Sequence, residues 1–377
     1  MRKSTLWVST FKEECGKLLI EPNRRVLDCV ELNDDADVAI RVVGRKDGPP
    51  MHAIDVTALA LTLRAYPLVH SVTLAHQSLG DGALDALHEL ISHDSTIVML
   101  DFRYDDIGGA GCAKLCSALA HNETVQVLDL SGNPVGFEGG FCAAEMLQTN
   151  TALASLALDD TEIETEAVVA LATALRENST LTALSLSNPR LSSLADETAV
   201  HFAGALRVNA SLTSLDLSKH GMREHGLQQI VTALLAPRDD VPPSALRTLS
   251  LRCNPLGEAC APLLAALVAQ LGGLEMLNVS GCALKDATAI AISRALAHRS
   301  SATSIDLSSN GICAPGLVAL ADALTSGAPV LAISLWGNMI DGRAAAALGG
   351  ALRASACEAD FVVDQPEVGR FAAARAN

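Results

Sequence analysis

The nine residues Val125–Asn133, with the sequence VQVLDLSGN, constrain the fold of this chain more than any other stretch. Leu128 and Leu130 alternate with polar residues, which is typical of a short strand that buries one face. Asn133 follows where the chain must leave that strand, and its side chain can bond to backbone groups of the turn. One copy of such a motif would be weak evidence. The interpretation therefore depends on how often the motif recurs.

The turn position held by Asn133 recurs along most of the chain. Successive copies stand 28 positions apart, except for two longer repeats, which end at His220 and at Asn254. This regularity indicates a solenoid, in which each unit stacks on its neighbours and the asparagines form a hydrogen-bonded ladder. We expect the ladder to be weakest in its middle, where three consecutive positions lack an amide. The occupants in order are Gln77, Asp105, Asn133, Thr161, Pro189, His220, Asn254, Cys282, Asn310 and Asn338.

The second half of each unit has the spacing of a helix. A small residue such as Gly111 or Gly139 stands four positions after the apolar residue that follows the turn. Large apolar residues come next at helical spacing, for example Leu115 and Leu119. This pattern predicts a helix that packs closely against a parallel strand.

Together, strand, turn and helix resemble the long, ribonuclease-inhibitor-like type of leucine-rich repeat. The consensus L-x-x-L-x-L-x-x-N is matched at Val125, Leu128, Leu130 and Asn133. The resemblance implies an α/β fold, a horseshoe-shaped solenoid with parallel strands on its concave face and helices on its convex face. The two longer repeats place extra residues in Ser192–Val200 and in the proline-rich segment Ala236–Ser244.

The repeats suggest three regions. Residues 1–67 are predicted to form an N-terminal cap with helices and a first edge strand around Ile40 and Val42. Ten leucine-rich repeats are expected over residues 68–357. Residues 358–377 are interpreted as a C-terminal cap strand and tail, with the strand at Phe361–Val363 because these residues follow Ile333–Leu335 by 28 positions.

Charge and composition exclude several classes of partner. The chain has 27 lysine and arginine residues against 43 acidic residues, a formal net charge of -16. Nucleic acid is therefore not expected as a partner, whereas a basic protein surface is compatible with this charge. The longest uncharged run, around Ala259–Ala269, is too short to cross a bilayer. Ten scattered cysteines favour a reducing compartment over a disulfide framework.

No catalytic or cofactor motif stands out in the sequence. Gly16 and Lys17 lack the upstream glycine of a phosphate-binding loop. Cys112 and Cys116 share one face of a predicted helix, but no second pair of ligands completes a zinc site, so they are interpreted as core residues. We expect neither a cofactor, nor a metal, nor a small-molecule substrate.

A partner site is predicted on the concave face, at the positions between and just after the consensus leucines. Small and acidic residues fill most of these positions, together with two arginines and one large aromatic residue. A basic segment of a protein partner would suit this surface. Trp336 is interpreted either as the interface anchor or as cover for the C-terminal cap. The predicted partner-binding residues are Asp101, Arg103, Asp129, Asp216, Arg252, Asp306 and Trp336.

Four less regular stretches make the resemblance to this repeat family more specific. They are Ser185–Leu191, Leu217–Met222, Ser334–Asn338 and Phe361–Asp364. Similar members have no established enzymatic activity and recur in cilia and flagella, including axonemal complexes. The resemblance therefore implies a non-enzymatic scaffold in the cytoplasm, at the axoneme of a cilium or flagellum, with the nucleus as an open alternative.

A second class of protein with repeats of this length stays open. GTPase-activating proteins of the Ran type are also built from ribonuclease-inhibitor-like repeats. They resemble one another in a long acidic C-terminal tail, whereas this sequence ends in GRFAAARAN. The scaffold is the preferred interpretation, and the regulator of a GTPase is the alternative.

Overall fold

The computed structural model describes residues 3–31, 38–43, 51–65, 67–93, 96–192, 195–237, 242–355 and 358–360. The chain divides into two units, Met1–Ser192 and Ser193–Asn377.

Unit 1 alternates strands with helices, and its described strands pair in parallel in the order of the chain. From β2 onward each residue faces the residue 28 positions later, as Leu100 faces Leu128. The predicted repeat length is therefore the register of the sheet. The helices are α1 (Lys3–Lys17), α2 (Arg24–Glu31), α3 (Ala53–Ala65), α4 (Leu84–His93), α5 (Gly109–Leu119), α6 (Gly136–Thr149) and α7 (Thr165–Ala174). The strands are β1 (Val38–Arg41), β2 (Val69–Thr73), β3 (Met99–Asp101), β4 (Val127–Asp129), β5 (Ser155–Ala157) and β6 (Ala183–Ser185).

Unit 2 has the same construction. Its strands pair in parallel in chain order, and the longest repeat lies between β7 and β8, where Leu215 faces Leu249. The regular repeat length returns with the next strand, where Leu249 faces Leu277, and it continues to β11. The helices are α8 (Ala195–Leu206), α9 (Glu224–Leu235), α10 (Ala261–Gln270), α11 (Lys285–Arg299), α12 (Ala314–Thr325) and α13 (Gly342–Ala354). The strands are β7 (Ser214–Asp216), β8 (Thr248–Ser250), β9 (Met276–Asn278), β10 (Ser304–Asp306), β11 (Ala332–Ser334) and β12 (Glu358–Asp360).

The last strand differs from the prediction. The regular repeat length predicted Phe361 as the partner of Ile333, but Ile333 faces Ala359, two positions earlier in the chain. The physical reason is the length of the connection, since three residues separate α13 from β12 and six separate α12 from β11. Phe361 itself lies outside the described residues.

The N-terminal part buries two aromatic rings of α1. Trp7 and Phe11 of α1 are fully buried, and their ring centroids are 5.5 Å apart. Strand β1 contains Ile40, as predicted, and the backbone nitrogen of Val42 continues the pairing by donating to Thr73. The boundaries of the proposed caps stay a prediction.

The consensus leucines form the core, as the alternation predicted. Leu128 and Leu130 of one repeat are buried, and so are Leu215 and Leu217 of another. The small residue near the start of each helix was predicted to permit close contact with the strand, but in the structure it permits close contact between helices. A Cβ atom on Gly139 would lie 2.8 Å from the Cβ of Cys112 in the preceding helix. Small residues at this position let helices of successive repeats approach each other.

The predicted asparagine ladder is confirmed at Asn133. Its Oδ1 accepts the backbone N–H groups of Asp105 and Ile107, and its Nδ2 donates to the carbonyls of Phe102 and Leu130. All these groups are buried and cannot bond to water. Each of these hydrogen bonds therefore satisfies a backbone group that would otherwise have no partner. Thr161 makes a single side-chain bond of this kind, to the carbonyl of Leu158. In unit 2, Asn254, Asn310 and Asn338 repeat the Asn133 pattern.

A second asparagine ladder follows the helices of unit 1, and the sequence interpretation missed it. The Nδ2 atom of Asn150 donates to the carbonyls of Leu119 and Asn122. Its Oδ1 atom accepts the N–H groups of Ala152 and Leu153. Asn122 and Asn178, one repeat earlier and one repeat later, make corresponding bonds. The regular spacing of these three asparagines was readable in the sequence.

Candidate partner-binding site

The strand face of each unit consists of the strand residues that alternate with the buried leucines and of the second residue after each strand. In unit 1 an ion-pair cluster lies on this face. The guanidinium of Arg103 bonds to both carboxylate oxygens of Asp101, at 2.9 and 2.8 Å. Its Nε atom also lies 3.3 Å from Oδ2 of Asp129. The hydrogen bond to Asp101 raises the pKa of Arg103, so the arginine stays charged.

Within this cluster Asp101 differs from Asp129 in exposure. Asp101 is 3% exposed, and Arg103 occupies both of its oxygens. Asp129 is half-buried, and Arg103 is exposed. Asp101 therefore holds Arg103 in place, whereas Arg103 and Asp129 are the members that a partner can reach.

The predicted site aspartates share a local structural function. In each case Oδ1 accepts the backbone N–H of the residue two positions later and so closes the turn after the strand. Asp129 does this with Ser131 at 2.9 Å, and Asp306 with Ser308 at the same distance. Asp216 bonds to Ser218 in the same way, and Asp101 to Arg103. Asn278 makes an equivalent bond to Ser280, which shows that an amide serves this turn as well as a carboxylate.

In unit 2 the predicted arginine and tryptophan are both exposed. Trp336 follows β11 and is 56% exposed, and its backbone carbonyl accepts the N–H of Ser309. Arg252 follows β8, and its carbonyl accepts the N–H of Lys219. Backbone bonds thus fix the position of each residue while the side chain stays accessible. Whether the C-terminal residues pack on Trp336 concerns residues outside the described range.

One aromatic feature of unit 1 was not predicted. His76 and Tyr104 are both exposed, and their rings stack with centroids 4.6 Å apart and planes 8° from parallel. Each stands just before a ladder residue, with a φ of 60° at His76 and 56° at Tyr104. In the sequence, this feature is visible as two aromatic residues at the repeat position where the following repeat has Gly132.

The cysteine pair of α5, which the sequence analysis considered as possible zinc ligands, lies in the core. The Sγ atoms of Cys112 and Cys116 are buried and 3.9 Å apart, and they form no disulfide. The hydrogen bond with Cys112 raises the pKa of Cys116, and burial raises it further, so the thiol stays protonated. Among the described residues, no group of three or more histidine, cysteine, aspartate or glutamate side chains could hold a metal ion. No helix in the described ranges has the length and apolar character needed to cross a membrane.

Comparisons with known proteins agree on the architecture. A sequence profile described as leucine-rich repeat matches residues 121–142 and 303–321. No curated protein sequence is significantly similar to the chain. A chain of the yeast Rad7–Elc1 complex is similar in structure, with a TM-score of 0.54 and 15% identity, over 89% of this chain and 83% of that one.

Two further solved structures are similar at lower TM-scores. The leucine-rich repeat-containing protein LegL7 from Legionella pneumophila has a TM-score of 0.48 and 18% identity, over 87% of this chain and 91% of LegL7. Actin-binding site 2 of leiomodin-1 has a TM-score of 0.32 and 24% identity, over 35% of this chain and 77% of that one. The repeat profile over these two segments, the Rad7–Elc1 similarity and the paired strands confirm the predicted α/β leucine-rich-repeat fold.

Proposed function

We propose that this protein is a non-enzymatic scaffold that binds a protein partner on its strand face, as a component or assembly factor of a ciliary or flagellar axonemal complex. The observation that carries the proposal is Trp336, a large aromatic side chain exposed on a face where small and acidic residues fill most positions. Exposed tryptophans of this kind are frequent anchors of protein interfaces.

Charge defines the class of partner. In unit 1, Asp129 is accessible beside Arg103, and in unit 2, Asp216 and Asp306 are half-buried on the strand face. Carboxylates at such positions attract a basic segment and raise its association rate more than its final affinity. Nucleic acid and membranes are not part of this proposal, because the same carboxylates repel phosphate groups.

The axonemal part of the proposal rests on sequence resemblance. The stretches Ser185–Leu191, Leu217–Met222 and Ser334–Asn338, together with Phe361–Asp364, resemble leucine-rich repeat-containing protein 34 in the same order. Relatives of that type recur in cilia and flagella. We infer a cytoplasmic protein that acts at the axoneme, with the nucleus as the alternative compartment.

Affinity purification from ciliated and non-ciliated cells tests the scaffold and its location together. We expect the tagged chain to recover axonemal proteins from ciliated cells. The variant Asp216→Asn with Asp306→Asn should recover less, because it removes two charges and keeps the oxygen that closes each turn. Asn278 is the natural precedent for that exchange. Recovery of nuclear proteins alone, or equal recovery by the variant, would contradict the proposal.

The non-enzymatic part has its own test. A Ran-type GTPase-activating protein accelerates GTP hydrolysis by Ran, whereas a scaffold leaves the rate unchanged. We expect no acceleration when the purified chain is added to GTP-loaded Ran. Acceleration at substoichiometric amounts of the chain would establish the alternative function.

A further inference from the structure

The exposed aromatic pair of unit 1 stands at a turn position whose backbone is left-handed in each of the ten described repeats. His76 and Tyr104 have φ values of 60° and 56°, in the left-handed region that favours glycine. Gly132 occupies the same position in the next repeat with a φ of 76°. Non-glycine residues such as Asp160 and Asn188 share this conformation, so the left-handed turn belongs to the repeat itself. His76 and Tyr104 are distinguished by their aromatic side chains, which no other repeat has at this position.

Neither ring serves the core of the repeat. His76 is exposed, and Tyr104 is 47% exposed. Their parallel stack at 4.6 Å holds the Tyr104 ring on one side. On the other side, a Cβ atom on Gly132 would lie 2.2 Å from Cδ1 of Tyr104, so the ring needs the glycine beneath it. The ring is thus fixed before any partner arrives, and little side-chain entropy is lost on binding.

The surroundings of Tyr104 are acidic. Between Met99 and Glu166 the sequence has twelve acidic and two basic side chains. On the strand face and in the turns after it, Asp106 and Asp160 are exposed and Asp129 is half-buried. Arg103 neutralises one charge of its cluster with Asp101 and Asp129, which leaves the surface negative.

We propose that Tyr104 is the anchor of a docking site for a basic peptide segment of a protein partner. Because His76 and Gly132 cover the two faces of the Tyr104 ring, the methylene groups of an arginine or lysine side chain pack against its exposed edge. The charged end reaches Asp106, Asp129 or Asp160. Long basic side chains commonly combine these two kinds of contact. The inference rests on the proposed scaffold function and assigns its basic partner a specific contact in unit 1.

The variant Tyr104→Gly tests the anchor with little risk to folding. Glycine adopts the observed φ without strain, and it is the residue that the next repeat already has at this position, Gly132. Phe137→Ala is the matched control, because Phe137 of α6 is 48% exposed, as Tyr104 is 47% exposed. Thermal unfolding of all three full-length proteins confirms that the variants are folded.

The probe is a fluorescein-labelled peptide of alternating arginine and glycine, with a glutamate–glycine peptide of equal length as its counterpart. Binding is followed by fluorescence anisotropy. We expect the wild type to bind the arginine peptide alone, Tyr104→Gly to weaken this binding about tenfold, and Phe137→Ala to leave it unchanged. Asp106→Asn with Asp160→Asn should weaken binding as well, and less so at high salt.

Three outcomes would overturn the inference: equal affinity of Tyr104→Gly and wild type, equal loss in Phe137→Ala, or equal binding of both peptides by the wild type. Failure of the wild type to bind the arginine peptide would overturn it too. None of these outcomes decides the scaffold proposal, which is judged by recovery of axonemal proteins and by Trp336 in unit 2.

Discussion

Oδ1 of Asp105 lies 2.5 Å from the backbone nitrogen of Gln77. In the next repeat, Oδ1 of Asn133 accepts the backbone N–H of Asp105 at 2.8 Å. The two side chains thus make the same bond in successive repeats. The other terminal atom of each side chain differs. Nδ2 of Asn133 donates to two carbonyls, whereas Oδ2 of Asp105 is buried without a hydrogen-bond partner. An ionised carboxylate has nothing to donate at this position.

Asp105 should make the stability of the protein depend on pH. Burial raises its pKa to about 7, against about 3.9 for an unfolded aspartate. A proton on Oδ2 would supply the missing donor. Because the folded pKa is raised, the stabilisation is fully present below about pH 4 and is lost as the pH rises to about 7. The loss amounts to roughly 4 kcal/mol, at about 1.36 kcal/mol per pKa unit.

The variant Asp105→Asn removes this dependence, because an amide donates at every pH. We expect it to be more stable than the wild type at pH 8 by about 2–4 kcal/mol, with a difference that shrinks towards pH 4. Urea unfolding across this range measures the difference. Asp106→Asn is the control, since Asp106 is an exposed neighbour. A constant difference between Asp105→Asn and wild type at all pH values would show that folding does not raise the pKa of Asp105.

The consensus leucines should be equivalent in energy. Leu128→Ala in unit 1 and Leu215→Ala in unit 2 each empty a packed repeat interior, because both side chains are buried. Each variant should lose about 2–5 kcal/mol of unfolding free energy. Gln126→Ala, at an exposed position just before β4, should change stability by less than about 0.5 kcal/mol. Unchanged thermal stability of either leucine variant would refute the assigned register.

Both asparagine ladders should matter for stability. Asn133→Ala and Asn150→Ala each leave buried donors and carbonyls of neighbouring repeats without partners. We expect each to lose roughly 1–3 kcal/mol. Gln148→Ala is the comparison, since Gln148 is an exposed residue of α6. If Asn150→Ala resembled Gln148→Ala, the second ladder would contribute nothing to folding.

Local patterns predicted the repeat, and long-range packing supplied what they missed. The alternation around Leu128 and the recurrence of the Asn133 position specify strand, turn and register, because each depends on residues close in the chain. The register of β12 depends on where α13 ends, and the spacing of the earlier repeats did not contain that information. The stack of His76 on Tyr104 could not be predicted from the sequence, because it depends on the left-handed turns in which both residues lie.

The candidate site was only partly readable for a related reason. Alternation places Asp129 and Asp306 on the strand face, where both are half-buried, but the same residues close the turns after their strands. The sequence D-L-S at both places carries the structural function as well as the charge. Aspartate at these positions is thus explained by the turn, and the case for binding depends on the exposed aromatic residues.

Trp336 should contribute to binding without contributing to folding. The side chain is 56% exposed, so its truncation empties no packed interior. We expect Trp336→Ala to weaken binding of a purified axonemal partner by about 2 kcal/mol or more, since a buried tryptophan at an interface commonly contributes that amount. Leu331→Ala is the matched control, because Leu331 is 58% exposed and lies just before β11, at the opposite end of the strand from Trp336. Calorimetric titration measures binding and thermal unfolding measures stability. A fall in the melting temperature of Trp336→Ala with no loss of affinity would assign the tryptophan to the C-terminal cap.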